Sequence, residues 1–489
     1  MTRIPGEFDP NEITSERVQL WKCLEKGECL STYVSTIGDS TIANPRLPEE
    51  VGKYRSPYDE KLVTADFDLL QEYEKRGMEV PRFREAGPRE LLYHSPESVK
   101  AAIVTTGGLA PGLNCVVHSI VDRHWNTYRV SPPSGGDILG VFESFLGACN
   151  LDHYMKSISP ANTENWLDKG GSILGVRRTD RTEGRETLAQ NIAYQLKLKK
   201  INILYVIGGD GTLGVAHEIA KIAKDVSVVG IPKTMDNDVM WVWQSFGFRT
   251  AVEKAAEVIN TLNAEAESTR RVCLIELFGA ESGFVAANAT LASGHVDLVL
   301  IPEEFQSLTT ESCEKALDIY LEYLKARVQN PRRRDERPHG VVVVAEGVAK
   351  ILHAKNVKLA GVPIAKDDLV VQLKDYLKDQ VRDGADRNVE VFYNQPRHNI
   401  RAIPANAQDQ IYCERLGALA VDNALAGYTD FMISQWLTEY VLVPLEIVQD
   451  RHKRIPTAGV FWKQVVNSTG QPCIWLKKYG LKRIVDEKD

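Results

Sequence analysis

Three aspartates, two threonines and a lysine stand in two short clusters. One is Gly209-Asp210-Gly211-Thr212, within VIGGDGTLG (206–214); the other is Lys233-Thr234-Met235-Asp236-Asn237-Asp238, within GIPKTMDNDV (230–239). Each follows an apolar, β-rich run. Glycines at a strand end let the backbone approach an anion closely, and the next helix begins with free N–H groups and a positive dipole end. TTGGLAPGLN (105–114) is a second turn of this kind. An aspartate at the tip of a phosphate cradle repels phosphate unless a cation stands between them. Mg²⁺ suits that place because it takes one or two carboxylates plus phosphate oxygens. Asp210 is therefore the candidate metal ligand. Asp236 follows about 25 residues later, the length of one strand–helix–strand crossover, which returns the next parallel strand to the same sheet edge. The two clusters are expected to meet there. Together they suit phosphoryl transfer. Asp236 would take the proton of an attacking hydroxyl, an effect of ~10²–10⁴-fold. Thr234 would hydrogen-bond the transferring group, and Asp238 would support the metal or the turn. Taken singly, each glycine turn is also readable as a ligand-free tight turn, and TMDND as an Asx-turn closing the strand. Neither glycine turn is followed by GK[ST] or reads GxGxxG, which disfavours a Walker ATPase and a dinucleotide dehydrogenase.

The elements that must hold these residues follow from the hydrophobic pattern. AAIVTTGG, INILYVIGG, VSVVGIP, VCLIELFG, VDLVLIP and GVVVVAEG read as buried strands. They alternate with helical stretches such as GVAHEIAKIAKD, TAVEKAAEVINTL and TTESCEKALDIYLEYLKARV. Continuous apolar strands between amphipathic helices imply mostly parallel sheets covered on both faces. The span is too long for one sheet, so the fold class is α/β with two doubly wound three-layer domains plus an N-terminal extension. Residues 1–97, rich in Pro, Glu, Arg and Tyr, read as an extension wrapping the core. Residues 98–245 with about 403–460 form the first domain, and 246–402 with about 461–489 the second. PRRRDERP (331–338) reads as a solvated loop, with an anion site as its alternative.

Composition excludes several classes. The chain has 489 residues and a net charge of −7, against a nucleic-acid or anionic-membrane binder. No run approaches the ~18 apolar residues of a membrane span. Eight cysteines are dispersed without a CxxC pair, which argues against zinc or dithiol sites and for a reducing, cytoplasmic setting.

The ordered set TTGGLAPGLN, GGSILGVRR, VIGGDGT, PKTMDND, SFGFRTAVE, ATLAS and VVVVAEG resembles the 6-phosphofructokinases. It is most similar to the long ATP-dependent enzymes of plants and kinetoplastids, themselves related to pyrophosphate-dependent forms. The resemblance covers residues 100 to about 430. GGDGT alone also occurs in NAD and diacylglycerol kinases, but its combination with TGGxxPGxN and PKTxDND is specific. The resemblance implies ATP-dependent phosphorylation of fructose 6-phosphate at the 1-hydroxyl, a glycolytic step, with the first domain binding ATP–Mg²⁺ and the second the sugar phosphate. It implies nucleotide contacts at Gly108, Gly209, Asp210, Gly211 and Thr212, with Mg²⁺ on Asp210. Arg178 falls where the family's arginine touches the transferred phosphate, with Arg177 as fallback if the register slips by one. Thr234 and Asp236 match the substrate threonine and the proton acceptor. Glu346 resembles the glutamate on the fructose hydroxyls, and Phe278 and Gly279 fall in the family's MGR segment. His398 and Arg401 fall where the 6-phosphate is clamped, with a surface loop as the alternative. Arg271 aligns with an arginine that shorter bacterial enzymes reach from a neighbouring subunit. A homotetramer, or at least a homodimer, is implied.

Donor choice has a physical argument. An aspartate at the position of Gly211 would fill and repel the α-phosphate space; glycine leaves it open, which favours ATP. Lys233 is a pyrophosphate-type feature, so a pyrophosphate-dependent enzyme is the alternative. Ala280 replaces the arginine of MGR, and losing one charge-assisted partner costs ~1.5–3 kcal/mol. That departure motivates a third reading, a weakly active regulatory paralogue, with Arg271 or Arg397 as candidate compensators.

Overall fold

The structure is a computed structural model describing residues 12–177, 184–330, 337–383, 385, 387–475 and 479–483. Its larger sheet runs in the order Glu60–Leu62, Arg82–Glu85, Glu439–Pro444, Phe431–Trp436, Ser227–Pro232, Ile203–Gly208, Lys100–Thr105, Asp137–Val141, Met155–Ser157. The five strands from Phe431–Trp436 to Asp137–Val141 pair in parallel, and the flanking strands are antiparallel. A second sheet, Leu298–Leu300, Gly340–Ala345, Val272–Leu277, Val391–Asn394, is parallel throughout.

The apolar runs explain this layering. Successive side chains of a strand leave on opposite faces. Ala102, Val104, Leu204 and Val206 enter one core, while Ala101, Ile103, Ile203 and Tyr205 enter another. Both faces of the larger sheet are thus dry and helix-covered, as its uninterrupted hydrophobicity requires. The second sheet has its own core, from Val272 to Ile275, Val341 to Ala345 and the Phe248–Thr269 helix.

The segment before residue 98 is more than a wrapping. It adds the strands Glu60–Leu62 and Arg82–Glu85 to the larger sheet, with Leu442 opposite Arg84 and Val441 opposite Glu85. Leu20, Leu24, Tyr73 and Phe83 from this segment are fully buried in the first of those cores. Phe83 meets Trp241 edge-on at 5.4 Å. In RFRE only alternate residues point inward, so the strand is short and looks charged in sequence. No helix among the described residues is long and apolar enough to cross a membrane.

Candidate active site

Backbone register brings the two acidic clusters together. Ser227–Pro232 lies parallel beside Ile203–Gly208, with Pro232 opposite Gly208. The Lys233 N–H continues the ladder to the Gly208 carbonyl at 2.9 Å. Both strands therefore end at one edge, Asp210 just beyond the first and Thr234 to Asp238 just beyond the second. Lys100–Thr105 pairs on the other side of Ile203–Gly208, so Gly107 and Gly108 reach the same edge. The Lys233 ammonium donates to the Gly108 carbonyl, closing the cradle from the acceptor side.

The cradle leaves room for an anion. The Asp210–Ile222 helix starts at Gly209, with no side chain capping its N–H groups. A Cβ placed on Gly108 or Gly211 would meet nothing within 4 Å. Gly107 needs its left-handed backbone, with φ +85°, and a Cβ there would lie 3.4 Å from Lys233 Nζ. Among the described residues no group of three or more His, Cys, Asp or Glu is arranged to hold a metal ion. The donor set fits a Mg²⁺ held by Asp210 together with phosphate oxygens, the arrangement expected for a nucleotide-bound ion.

The acceptor turn is ordered by Thr234. Its hydroxyl donates to Asp238 Oδ1 at 2.8 Å and accepts the Asp236 N–H at 3.1 Å. Asn237 takes the left-handed conformation, φ 55°, which sends the flanking aspartates in different directions. Asp236 Oδ1 is buried with no hydrogen-bond partner among the described residues. Burial, then the charges of Asp238 and Glu346, push its carboxyl well above the usual range, while the Ala280 N–H and Lys233 oppose the rise. Burial also acts to raise Asp238, but His452 and the Thr234 hydroxyl outweigh it and hold that carboxyl low. Two neighbouring carboxylates with opposed shifts are the arrangement in which one is a poised base and the other a fixed charge.

Sequence reasoning missed His452. Its ring stands between the clusters, Nε2 3.6 Å from Asp210 Oδ2 and Nδ1 3.7 Å from Asp238 Oδ2, ion-pair rather than hydrogen-bond separations. Asp238 raises the imidazole pKa, burial opposes that, and Asp210 adds to the rise. Lys453, also missed, is buried beneath the turn and donates to Asn237 Oδ1 at 3.1 Å. Both sit in the charge-rich stretch DRHKR, which gives no local sign of facing inward.

The second sheet presents the remaining candidates. Phe278, Gly279 and Ala280 follow the Val272–Leu277 strand. Ser282 Oγ donates to the Asp236 carbonyl at 3.1 Å, tying this loop to the Thr234–Asp238 turn. The Glu346 N–H bonds the Leu277 carbonyl at 2.9 Å and that of Gly347 bonds Gly279 at 2.8 Å, so Glu346 is presented beside the same loop. His398 and Arg401 lie on the short Arg397–Arg401 helix. Arg401 stacks 5.1 Å over the Phe278 ring, and His398 is exposed. Arg271 is not brought to this site. It precedes the strand whose opposite end carries Phe278, and it pairs with Glu390 at 2.8 Å. Arg397 is engaged with buried Glu276 at 3.0 Å. Within one chain, both arginines considered as substitutes for the one missing at Ala280 are thus held in ion pairs. Arg178 lies outside the described residues, as does most of the 331–338 charge run; the carbonyl of Arg177, the fallback, accepts the Gly107 N–H at 3.3 Å.

Comparison with known proteins agrees with this geometry. A family profile described as Phosphofructokinase matches residues 100–424. A Borreliella burgdorferi protein named ATP-dependent 6-phosphofructokinase is 34% identical over 461 residues, covering 91% of this chain and 98% of its own. An Arabidopsis thaliana protein named ATP-dependent 6-phosphofructokinase 2 is 35% identical over 88% of this chain and 93% of its own. Among solved structures, a pyrophosphate-dependent phosphofructokinase from Marinobacter aquaeolei superposes with a TM-score of 0.57 at 18% identity, over 79% of this chain and 89% of that one. The Pichia pastoris phosphofructokinase gives 0.55 at 21% identity, over 76% of this chain and 36% of that one. These two likenesses are of fold; the sequence matches carry the assignment. With its α/β architecture, its two converging acidic clusters and its matched length, the chain belongs to the phosphofructokinase family.

Proposed function

We propose that the protein transfers the γ-phosphoryl group of ATP to the 1-hydroxyl of fructose 6-phosphate, giving fructose 1,6-bisphosphate and ADP. The observation that carries this reading is the register Pro232 opposite Gly208, which puts a phosphate cradle and a carboxylate turn at one sheet edge. The open space at Gly211 favours ATP over pyrophosphate. The larger-sheet body, residues 98–245 with about 403–460, is assigned to the nucleotide, and the smaller-sheet body, 246–402 with about 461–489, to the sugar phosphate.

In the proposed mechanism the uncapped N–H groups from Gly209 to Thr212 and the open backbone at Gly108 hold the nucleotide phosphates. Asp210 would hold Mg²⁺, whose charge would offset that of the transferring group. Asp236 accepts the proton of the 1-hydroxyl; its raised pKa makes it a stronger base than an ordinary carboxylate. Thr234 orders the turn through its bonds to Asp238 and to the Asp236 N–H, and on turning away from Asp238 its one O–H would donate to the transferring group. Glu346 bonds sugar hydroxyls, His398 and Arg401 take the 6-phosphate, and Phe278 and Gly279 shape the sugar side. Arg271 at the far strand end suits a contribution to a neighbouring subunit's site, so the active form is assigned as a homotetramer, at least a homodimer. Cytoplasmic location is proposed from the dispersed thiols.

The test is turnover of fructose 6-phosphate with Mg²⁺ and either ATP or pyrophosphate. Activity with ATP and little with pyrophosphate is expected; turnover with pyrophosphate alone would overturn the donor assignment. Binding of sugar phosphate without turnover on either donor would favour the regulatory paralogue.

A further inference from the structure

The segment 450–455 joins the catalytic turn to a helix more than 400 residues away in sequence. The Lys453 ammonium spends its donors on Asn237 Oδ1 at 3.1 Å, the Val242 carbonyl at 2.6 Å and the Trp243 carbonyl at 3.3 Å. Its backbone N–H donates to the Asp238 carbonyl at 2.7 Å. Asn237 is the left-handed residue between Asp236 and Asp238, and its amide oxygen also accepts the Ser245 N–H at 3.0 Å. Lys453 therefore grips the turn from below through both side chain and backbone.

All three acceptors of this ammonium are neutral oxygens, and Lys453 is only 7% exposed. A cation so buried needs a counter-charge. Burial lowers the Lys453 pKa to about 8, and the charges of Glu16 on the Ser15–Lys26 helix and of Asp238 oppose that fall. Glu16 is 2% exposed, and its Oε1 is buried without a hydrogen-bond partner among the described residues. Two neighbours on the same helix fasten it to the site. Ser15 Oγ accepts the Arg454 N–H at 3.0 Å, and Gln19 Oε1 accepts the Trp241 indole N–H at 3.1 Å. On the other side, Glu303 Oε1 accepts the Ile455 N–H at 3.0 Å and the Gly283 N–H at 3.0 Å, linking the segment to the loop beside Ala280.

We propose that the N-terminal helix Ser15–Lys26 is a positioning element of the catalytic turn: its Ser15–Arg454 and Gln19–Trp241 bonds hold the segment against the helix, the buried charge of Glu16 faces Lys453, and Lys453 holds Asn237. Neither Glu16 nor Lys453 touches substrate in this account. They fix the direction in which Asp236 points, and the proposal rests on the reading of Asp236 as the base. Small displacements at such a place are costly, since ~1 Å can lower a rate ~10²-fold.

The experiment is steady-state kinetics with both substrates varied, using full-length Glu16→Gln, Lys453→Met, the double variant and Leu324→Ala, with melting temperatures measured alongside. Leu324→Ala opens a cavity in the second sheet's core, beside Gly340 at the strand end away from the site, and leaves the Ser15–Lys26 helix untouched. Misplacement of the base predicts that kcat falls about 10-fold in Glu16→Gln and about 100-fold in Lys453→Met. KM for each substrate should stay within about 3-fold, because substrate binding is left intact. The double variant should be no slower than Lys453→Met, since both changes cut one pathway. Leu324→Ala should melt earlier with kcat nearly unchanged. Wild-type kcat in folded Glu16→Gln, or kcat losses that follow melting temperature across all variants, would overturn the proposal. If Lys453→Met does not fold, Glu16→Gln decides. Asp236→Asn runs in parallel: if it is inactive while Glu16→Gln and Lys453→Met are wild type, only this inference fails. If Asp236→Asn is fully active, the base assignment fails and this inference with it.

Discussion

Thr234 Oγ1 lies 2.8 Å from Asp238 Oδ1, so one hydroxyl fixes the carboxylate beside the proposed base while accepting the N–H of that base. Replacing Thr234 with Val removes both bonds and leaves a part-buried carboxylate short of a donor. A lost bond to a charged group costs ~1.5–3 kcal/mol, and if felt in the transition state that is about a 10- to 100-fold fall in kcat. Thr234→Ser keeps the hydroxyl and should stay close to wild type. Equal kcat for the Val and Ser variants would show that the hydroxyl does not order the site.

Gly211 gives a test of the donor. Because a Cβ there meets nothing within 4 Å, Gly211→Asp should fold normally. Its carboxylate would stand in the space assigned to the α-phosphate, raising the KM for ATP by at least about 10-fold, the effect of ~1.4 kcal/mol of repulsion. Melting temperature should change little. An unchanged KM for ATP would mean that the nucleotide does not approach this glycine.

Asp236 predicts the acid limb of the pH profile. Its pKa is raised to about 7 by burial and by the charges of Asp238 and Glu346. A base must be ionised to act, so kcat/KM should be full above that pH and decline as pH falls through it. An acid limb centred near 4, the ordinary aspartate value, would contradict the proposed environment.

Two buried histidines predict the acid dependence of stability. His94 bonds Ser227 Oγ at 3.1 Å and His124 bonds the Tyr205 hydroxyl at 2.9 Å. Burial lowers their pKa values to about 4 and about 3. The unfolded chain therefore takes up protons first as pH falls below about 6.5, and the stability present above that value is lost on the way down. Between pH 7 and pH 5 each ring costs about 2 kcal/mol. Thermal melts at the two pH values should show the loss, and His94→Asn should reduce it. Identical melting temperatures at pH 5 and pH 7 would contradict the account.

The parts of the site legible in sequence were those set by local pattern and a single crossover. VIGGDGT and PKTMDND converge because two apolar strands of six residues pair in register, and uninterrupted hydrophobicity announces such strands. Other parts were hidden because the signal was tertiary. DRHKR looks like a solvated charge run, yet His452 faces two carboxylates and Lys453 is buried. The strand Arg82–Glu85 carries three charged residues in four, and only its inward Phe83 and Glu85 show that it belongs to a sheet. Glu16 sits in a helix of the segment expected to wrap the core, and no pattern in SERVQLWKCLEK links it to residue 453. Ala280 reads as a lost arginine; in the fold its backbone N–H, rather than a side chain, is what meets Asp236.

The central claim is that Asp236 is the proton acceptor of a phosphoryl transfer whose donor cradle ends in Asp210. Asp236→Asn, nearly the same in shape, removes the base and leaves the cradle intact. Measured side by side, kcat should fall by ~10²–10⁴-fold, while titration calorimetry shows ATP–Mg²⁺ binding close to wild type. Turnover near the wild-type rate in a folded Asp236→Asn enzyme would contradict it.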